Sequence, residues 1–247
     1  MVAVAGVLAA LVFISAIRTW RTTGRSELFW VTLGATVAVF YEPVGDMLVD
    51  IVYHAQTHGL TVVSGFGVSI PLWVLFMYTA FWGPGILWLT KKLEDGITAK
   101  QWMGWFVASI PMTWLFEVPM LKLGLYEYYG PQQPFKILEY PWWMCFSNSA
   151  VIFIVALLVH VAMKTTAVRN RPAYLVFLTP GFIIGVGLVT VLPVAYGMTS
   201  STSLVVINLT AAISSALSVA YVWVGYKVVN PSPQAQPEEP EKQIVAA

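Results

Sequence analysis

Seven apolar runs recur along the sequence, near residues 2–18, 28–53, 68–90, 102–121, 141–163, 173–196 and 203–227. Each is long enough to cross a hydrocarbon core of about 30 Å at about 1.5 Å of helical rise per residue. In lipid a backbone has to satisfy its own hydrogen bonds, so runs of this kind fold as helices. Composition agrees: 58% of the 247 residues are hydrophobic and 10% are charged, against about 25% charged in ordinary soluble domains. The reading is an all-α membrane protein, a bundle of seven transmembrane helices, integral to a bacterial cell membrane.

Basic residues set the orientation. Arg18, Arg21 and Arg25 follow the first run; Lys91, Lys92 and Lys100 follow the third. Lys164, Arg169 and Arg171 follow the fifth, and Lys227 and Lys242 the last. Only Lys122 and Lys136 fall in the intervening loops, so eleven of the thirteen Lys and Arg lie on alternate loops. Cytoplasmic loops carry that excess. The expected topology is N-terminus outside and C-terminus cytoplasmic. No basic region precedes the first run, so it reads as a retained helix and not a cleavable signal. A net charge of +1 gives no electrostatic footprint for nucleic acid.

The helical domain is expected over residues 1–229. The tail 230–247 is rich in Pro, Gln and Glu, cannot bury apolar area, and reads as disordered. The loop "GLYEYYGPQQPFKILEYPWW", residues 124–143, is dense in aromatic residues and lies outside. It reads either as an interfacial belt or as a cap over a pocket. Cys145 is the one cysteine, which excludes an internal disulfide and any Cys-x-x-Cys metal site.

The stretch "FYEPVGDMLVD", residues 40–50, places three carboxylates inside the second run. Ionisable side chains inside a span usually face the bundle interior or a wet cavity. On a helix Glu42, Asp46 and Asp50 fall at about 0°, 40° and 80°, one acidic stripe. Glu42 lies about 20 Å from the cytoplasmic edge by helical rise, and Glu117 in the fourth run lies at about 22 Å. Asn148 and Asn208, counted along the fifth and seventh runs, reach the same level. Each glutamate has a proline beside it, Pro43 and Pro119, which removes a hydrogen bond and opens room. Trp73, Tyr78, Trp114, Trp142 and Trp143, with Trp82 and Phe116, come from neighbouring helices and offer π faces to a cation.

These ingredients point to one chemistry first. A carboxylic acid in apolar surroundings keeps its proton and can pass it to an alkene or epoxide. Aromatic rings then steady the carbocation. The catalytic candidates are Glu42, Asp46 and Glu117; the substrate-binding candidates are Trp73, Tyr78, Trp114, Trp142, Trp143, Asn148 and Asn208. No metal and no cofactor is required. The expected partners are a lipid-soluble isoprenoid and the bilayer, with no nucleic acid and no obligate protein partner. Asp50, His54 and His58 at i, i+4 and i+8 offer a metal-binding alternative. A proton-coupled transporter of a small hydrophobic molecule is the alternative from another class, since it too uses buried acids. A retinal protein is disfavoured because Lys227 sits at the end of the last helix.

The "YEP" of residues 41–43, the "WLFEVP" of residues 114–119 and the "GLYEYYG…PWW…N" block resemble the integral-membrane terpene cyclases of meroterpenoid and indole-terpenoid pathways. The "GLYEYYG" piece is also similar to the carotenoid hydratases. The resemblance covers roughly residues 40–150. It implies an acid in an early helix as proton donor, a role Glu42 fits, and a second acid further along, for which Glu117 is the candidate. Helices six and seven contain no acid, a departure from a late-helix donor.

Overall fold

The computed structural model describes residues 1–54, 59–130 and 132–230. Among these, six helices are long and apolar enough to cross a membrane. They are α1 (Val2–Thr23), α2 (Glu27–Leu48), α3 (Leu72–Glu94), α5 (Trp142–Lys164), α6 (Pro172–Ser200) and α7 (Leu204–Val229). Between α3 and α5 lies α4 (Ala99–Lys122), whose 24 residues give about 36 Å of helix. Its length suffices, but it is not among the six that are also apolar enough. The expected tail beyond Asn230 lies outside the described residues.

Local signals place the helix ends. Gly24 adopts φ 75° and donates its N–H to the Trp20 carbonyl, closing α1 in the left-handed conformation that glycine accepts without strain. Thr98 and Gln101 cap the start of α4 reciprocally, side chain to backbone in both directions. Pro43 cannot continue a regular α-turn, and Val39–Tyr41 tightens to a 3₁₀ turn just before Glu42. Within α3, Tyr78–Trp82 widens to a π-turn immediately before Gly83 and Pro84. Pro84 has no N–H to close an α-turn there. In α4, by contrast, Pro111 and Pro119 are carried inside a continuous α-helix.

Two-thirds of the most apolar stretch of α5 is buried (67%), against 17% for α1. α5 is therefore the axis, with α3, α4, α6 and α7 packed around it, while α1 lies outside on α2 and α3. Arg25, Glu27, Glu94, His160, Lys164 and Arg169 meet at one end of the bundle. Arg25 there reaches Glu27 at 3.8 Å and Glu94 at 3.9 Å. The basic loops that alternate in sequence thus gather at that end.

The opposite end departs from the all-α expectation. Helix two was expected to run to residue 53 and helix three to start at 68. α2 instead stops at Leu48, and Asp50 turns the chain at φ 55°. Ile51–Tyr53 then forms β1, Thr61–Gly65 β2 and Val68–Pro71 β3; β2 and β3 pair antiparallel. β1 pairs antiparallel with β4 (Tyr126–Tyr128), across a long sequence separation. β5 (Lys136–Ile137) pairs with β6 (Tyr140–Pro141). Branched and aromatic residues favour strands, and here a partner supplies the ladder that an isolated helix end lacks. Among the described residues of the loop 124–143, β4, β5 and β6 form a folded cap. Asp50 consequently leaves the acidic stripe, and Asp50 and His54 do not share a helix face. His54 follows β1 and approaches Glu127 at 3.8 Å, and His58 lies outside the described residues.

Candidate functional site

α2, α3, α4, α5 and α6, closed at one end by β1 and β4, enclose a cavity of about 380 Å³. That lies within the range of small-molecule sites, roughly 300–1,000 Å³. Glu42 and Asp46 enter it from α2, Glu117 from α4, and Ser147 and Asn148 from α5. Trp73, Tyr78, Phe81 and Trp82 come from α3 and Phe116 from α4. The α6 wall, from Ile183 to Val191, has only apolar side chains and a glycine.

The carboxyls differ in their partners. Tyr78 donates its hydroxyl to Glu42 Oε2 at 2.5 Å. The same ring stacks on Trp82 with centroids 5.2 Å apart and planes 6° apart, which the π-turn permits. Asp46 is 3% exposed and takes a hydrogen bond from Tyr53, while its Oδ2 has no partner among the described residues. Trp73 Nε1 and the Tyr126 hydroxyl, also on the cavity wall, are buried without partners too. A buried polar atom left unpaired costs on the order of 1–3 kcal/mol. These atoms are therefore available to a bound molecule.

The cap supplies the end wall by strand alternation. The register Ile51↔Tyr128 and Tyr53↔Tyr126 puts those four residues on one face of the two-stranded sheet, and all four line the cavity. Val52 and Glu127 take the other face. The rings of Tyr53, Trp73 and Tyr126 lie 5.7 to 6.4 Å apart in one cluster. Behind them Tyr140, fully buried, hydrogen-bonds Tyr128 and receives the Asn148 amide at 3.5 Å. Burial pushes the Tyr53 hydroxyl well above the usual tyrosine range, with Asp46 and Glu42 adding to the effect. Asp50 stands beyond the membrane-spanning part of α2; partial burial raises its carboxyl, and the hydrogen bond from Tyr129 opposes that rise.

One side of the wall is open. Phe81 and Phe116 line the cavity yet are 43% and 42% exposed, with their rings 5.0 Å apart. They mark a lateral seam between α3 and α4.

The structure brings Glu42, Asp46, Glu117, Trp73, Tyr78 and Asn148 to this cavity and leaves four expected residues off it. Met144, Ser147, Asn148 and Val151 define the cavity face of α5; at 100° per residue Trp142 points about 170° from its centre and Trp143 about 90°. Trp114 lies about 110° from the face of α4 that carries Phe116, Glu117 and Met120. Trp114 and Trp142 stack on each other at 6.0 Å instead, and Trp143 is core. Asn208 belongs to α7, which contributes nothing to the wall. Sequence reasoning missed Tyr41, Tyr53, Tyr126, Tyr128 and Ser147. The spacing of Tyr126 and Tyr128 in "YEY" was a strand signal for two of them.

Fold and site together define a helical membrane protein with an acid-lined, aromatic-walled cavity under a small β cap. The chain matches no family model, no curated protein and no solved structure.

Proposed function

We propose that this protein is a metal-independent terpene cyclase of a bacterial cell membrane, protonating an alkene or epoxide of a lipid-soluble isoprenoid. The observation that carries the reading is the convergence of Glu42, Asp46 and Glu117 on one aromatic-walled cavity. In this reading α4 is a seventh span, the N-terminus and the cap lie outside, and the C-terminus is cytoplasmic. The gathering of basic residues at the end opposite the cap supports that orientation. Substrate enters sideways from the bilayer, through the seam at Phe81 and Phe116.

Glu42 gives its proton to an alkene carbon or an epoxide oxygen. With an alkene, the π pair forms the new C–H bond and the neighbouring carbon becomes cationic. A second alkene donates its π pair to that carbon, closing a C–C bond and moving the charge along the chain. The surrounding rings stabilise it through their π faces. Loss of a proton to the carboxylate left on Glu42 ends the sequence and restores the donor, with Asp46, one turn away, and Glu117 as the neighbouring acids through which the proton is relayed. The net reaction is an isomerisation, so no oxidant or reductant is consumed. Tyr78, already bonded to Glu42 Oε2, supports the carboxylate that proton transfer leaves behind.

The test is product analysis of purified protein in detergent, with linear isoprenoid alkenes and epoxides, chelator present and no ion gradient. Cyclic isomers formed by the wild type and not by Glu42→Gln support the reading. A product heavier by one water identifies hydration instead. Inertness in detergent together with gradient-driven uptake into liposomes replaces the enzyme with a proton-coupled transporter. Loss of activity to chelator brings back a metal.

A further inference from the structure

Two glycines on the cavity wall are unexplained by packing. Gly34 and Gly83 sit where helices touch: an added Cβ would meet Leu175 and Thr179 at 2.9 Å in the first case, and Thr32 at 2.6 Å in the second. Close helix contacts in membranes select small residues in this way. Gly45 and Gly187 differ. A Cβ at Gly45 would meet nothing within 4 Å, and one at Gly187 would reach only Val151, at 4.0 Å. Neither position has the left-handed backbone that demands glycine. Both lie inside helices, where glycine is a poorer residue than alanine. What they share is the cavity, which both of them line.

Their positions are informative. Gly45 is one turn from Glu42 and adjacent to Asp46, so a side chain there would enter the cavity beside both carboxyls. Gly187 stands on the apolar α6 wall, facing α5. Together they leave space beside the acids and space on the wall that carries no polar group. On α6, Gly185 also has nothing within 4 Å of an added Cβ, but it is exposed and lies off the cavity wall. It provides an internal comparison on the same helix.

We propose that Gly45 and Gly187 are size-determining residues of the cavity, keeping open the volume that admits a long apolar chain beside the carboxyls. The inference deepens the cyclase reading by assigning its substrate to the longer linear isoprenoids. One extra methylene in an apolar pocket discriminates between ligands by roughly 10–200-fold. A leucine at either position adds several carbons, and an alanine adds one. The effect is therefore graded, and it is confined to ligands long enough to need the space.

The experiment measures binding of geraniol, farnesol and geranylgeraniol by tryptophan fluorescence in detergent, with straight-chain alkanols of matched lengths as a second series. The variants are Gly45→Ala, Gly45→Leu, Gly187→Ala, Gly187→Leu and the control Gly185→Leu, each checked for folding by circular dichroism and gel filtration. The expected result is that the leucine variants lose at least about tenfold in affinity for the longest ligand. They keep their affinity for the shortest, the alanine variants fall between, and Gly185→Leu matches the wild type. If a leucine variant does not fold, the alanine variant of that position carries the comparison. The same size discrimination with alkanols but no binding of isoprenoids upholds the glycines and removes the isoprenoid reading. Unchanged length preference in folded Gly45 and Gly187 variants overturns the proposal. So does a wild type that binds neither series.

Discussion

Tyr78→Phe removes a single hydroxyl from the site and leaves the ring in place. The stack on Trp82, 5.2 Å between centroids, can survive the change, so the perturbation falls on the 2.5 Å bond to Glu42 Oε2. A hydrogen bond to a charged group contributes about 1.5–3 kcal/mol. In the proposed step Glu42 becomes a carboxylate as its proton leaves, so the bond is strongest where charge develops. At about 1.4 kcal/mol per tenfold in rate, kcat should fall roughly 10- to 150-fold. KM should change little, because the hydroxyl bonds the acid and not an apolar substrate. The assay is single-turnover conversion in detergent, followed by gas chromatography, for wild type, Tyr78→Phe, Glu42→Gln and the double variant. Once Glu42 can no longer give a proton, the hydroxyl has nothing to support. The double variant should therefore be no slower than Glu42→Gln alone. Wild-type turnover in Tyr78→Phe, or losses that multiply in the double variant, would refute the assignment of Tyr78 as support for the donor.

Glu42→Gln itself should lower turnover by at least about two orders of magnitude while the protein stays folded, since general acid catalysis contributes typically ~10²–10⁴-fold. Asp50→Asn should retain most activity, because Asp50 lies beyond α2 and off the cavity, and asparagine tolerates its positive φ. Trp114→Phe and Trp142→Phe should leave product distribution unchanged; a shifted profile would return those rings to the site. Reporter fusions at residue 130 should report the outside and at residue 95 the cytoplasm, and a cytoplasmic signal at 130 would break the proposed seven-span topology. Lys122, 2.8 Å away, holds the exposed Glu139 carboxyl below its usual range. That pairing stabilises the fold above the unfolded carboxylate pKa and fades as pH falls through the lower folded value. Glu139→Gln should therefore flatten the acid side of a thermal-stability profile slightly.

What the sequence determined by itself is what depends on local composition and length. Apolar runs of membrane-spanning length specify helices, because hydrocarbon offers the backbone no other partner. Counting along those runs placed Glu42, Glu117 and Asn148 at a similar depth, since rise per residue is fixed. The basic residues of alternate loops marked one end of the bundle. Rotation of each helix about its axis was not readable. A span that is apolar nearly all round gives little sign of which face turns inward, so Trp114, Trp142 and Trp143 could not be separated from Trp73 in advance. Tertiary structure also decided the cap. Tyr53 and Tyr126 are separated in the chain by the whole of α3 and α4, and the pairing of β1 with β4 makes them neighbours. Asp50 left the acidic stripe for the same reason: the strand that follows it found a partner, and the helix ended where that pairing began.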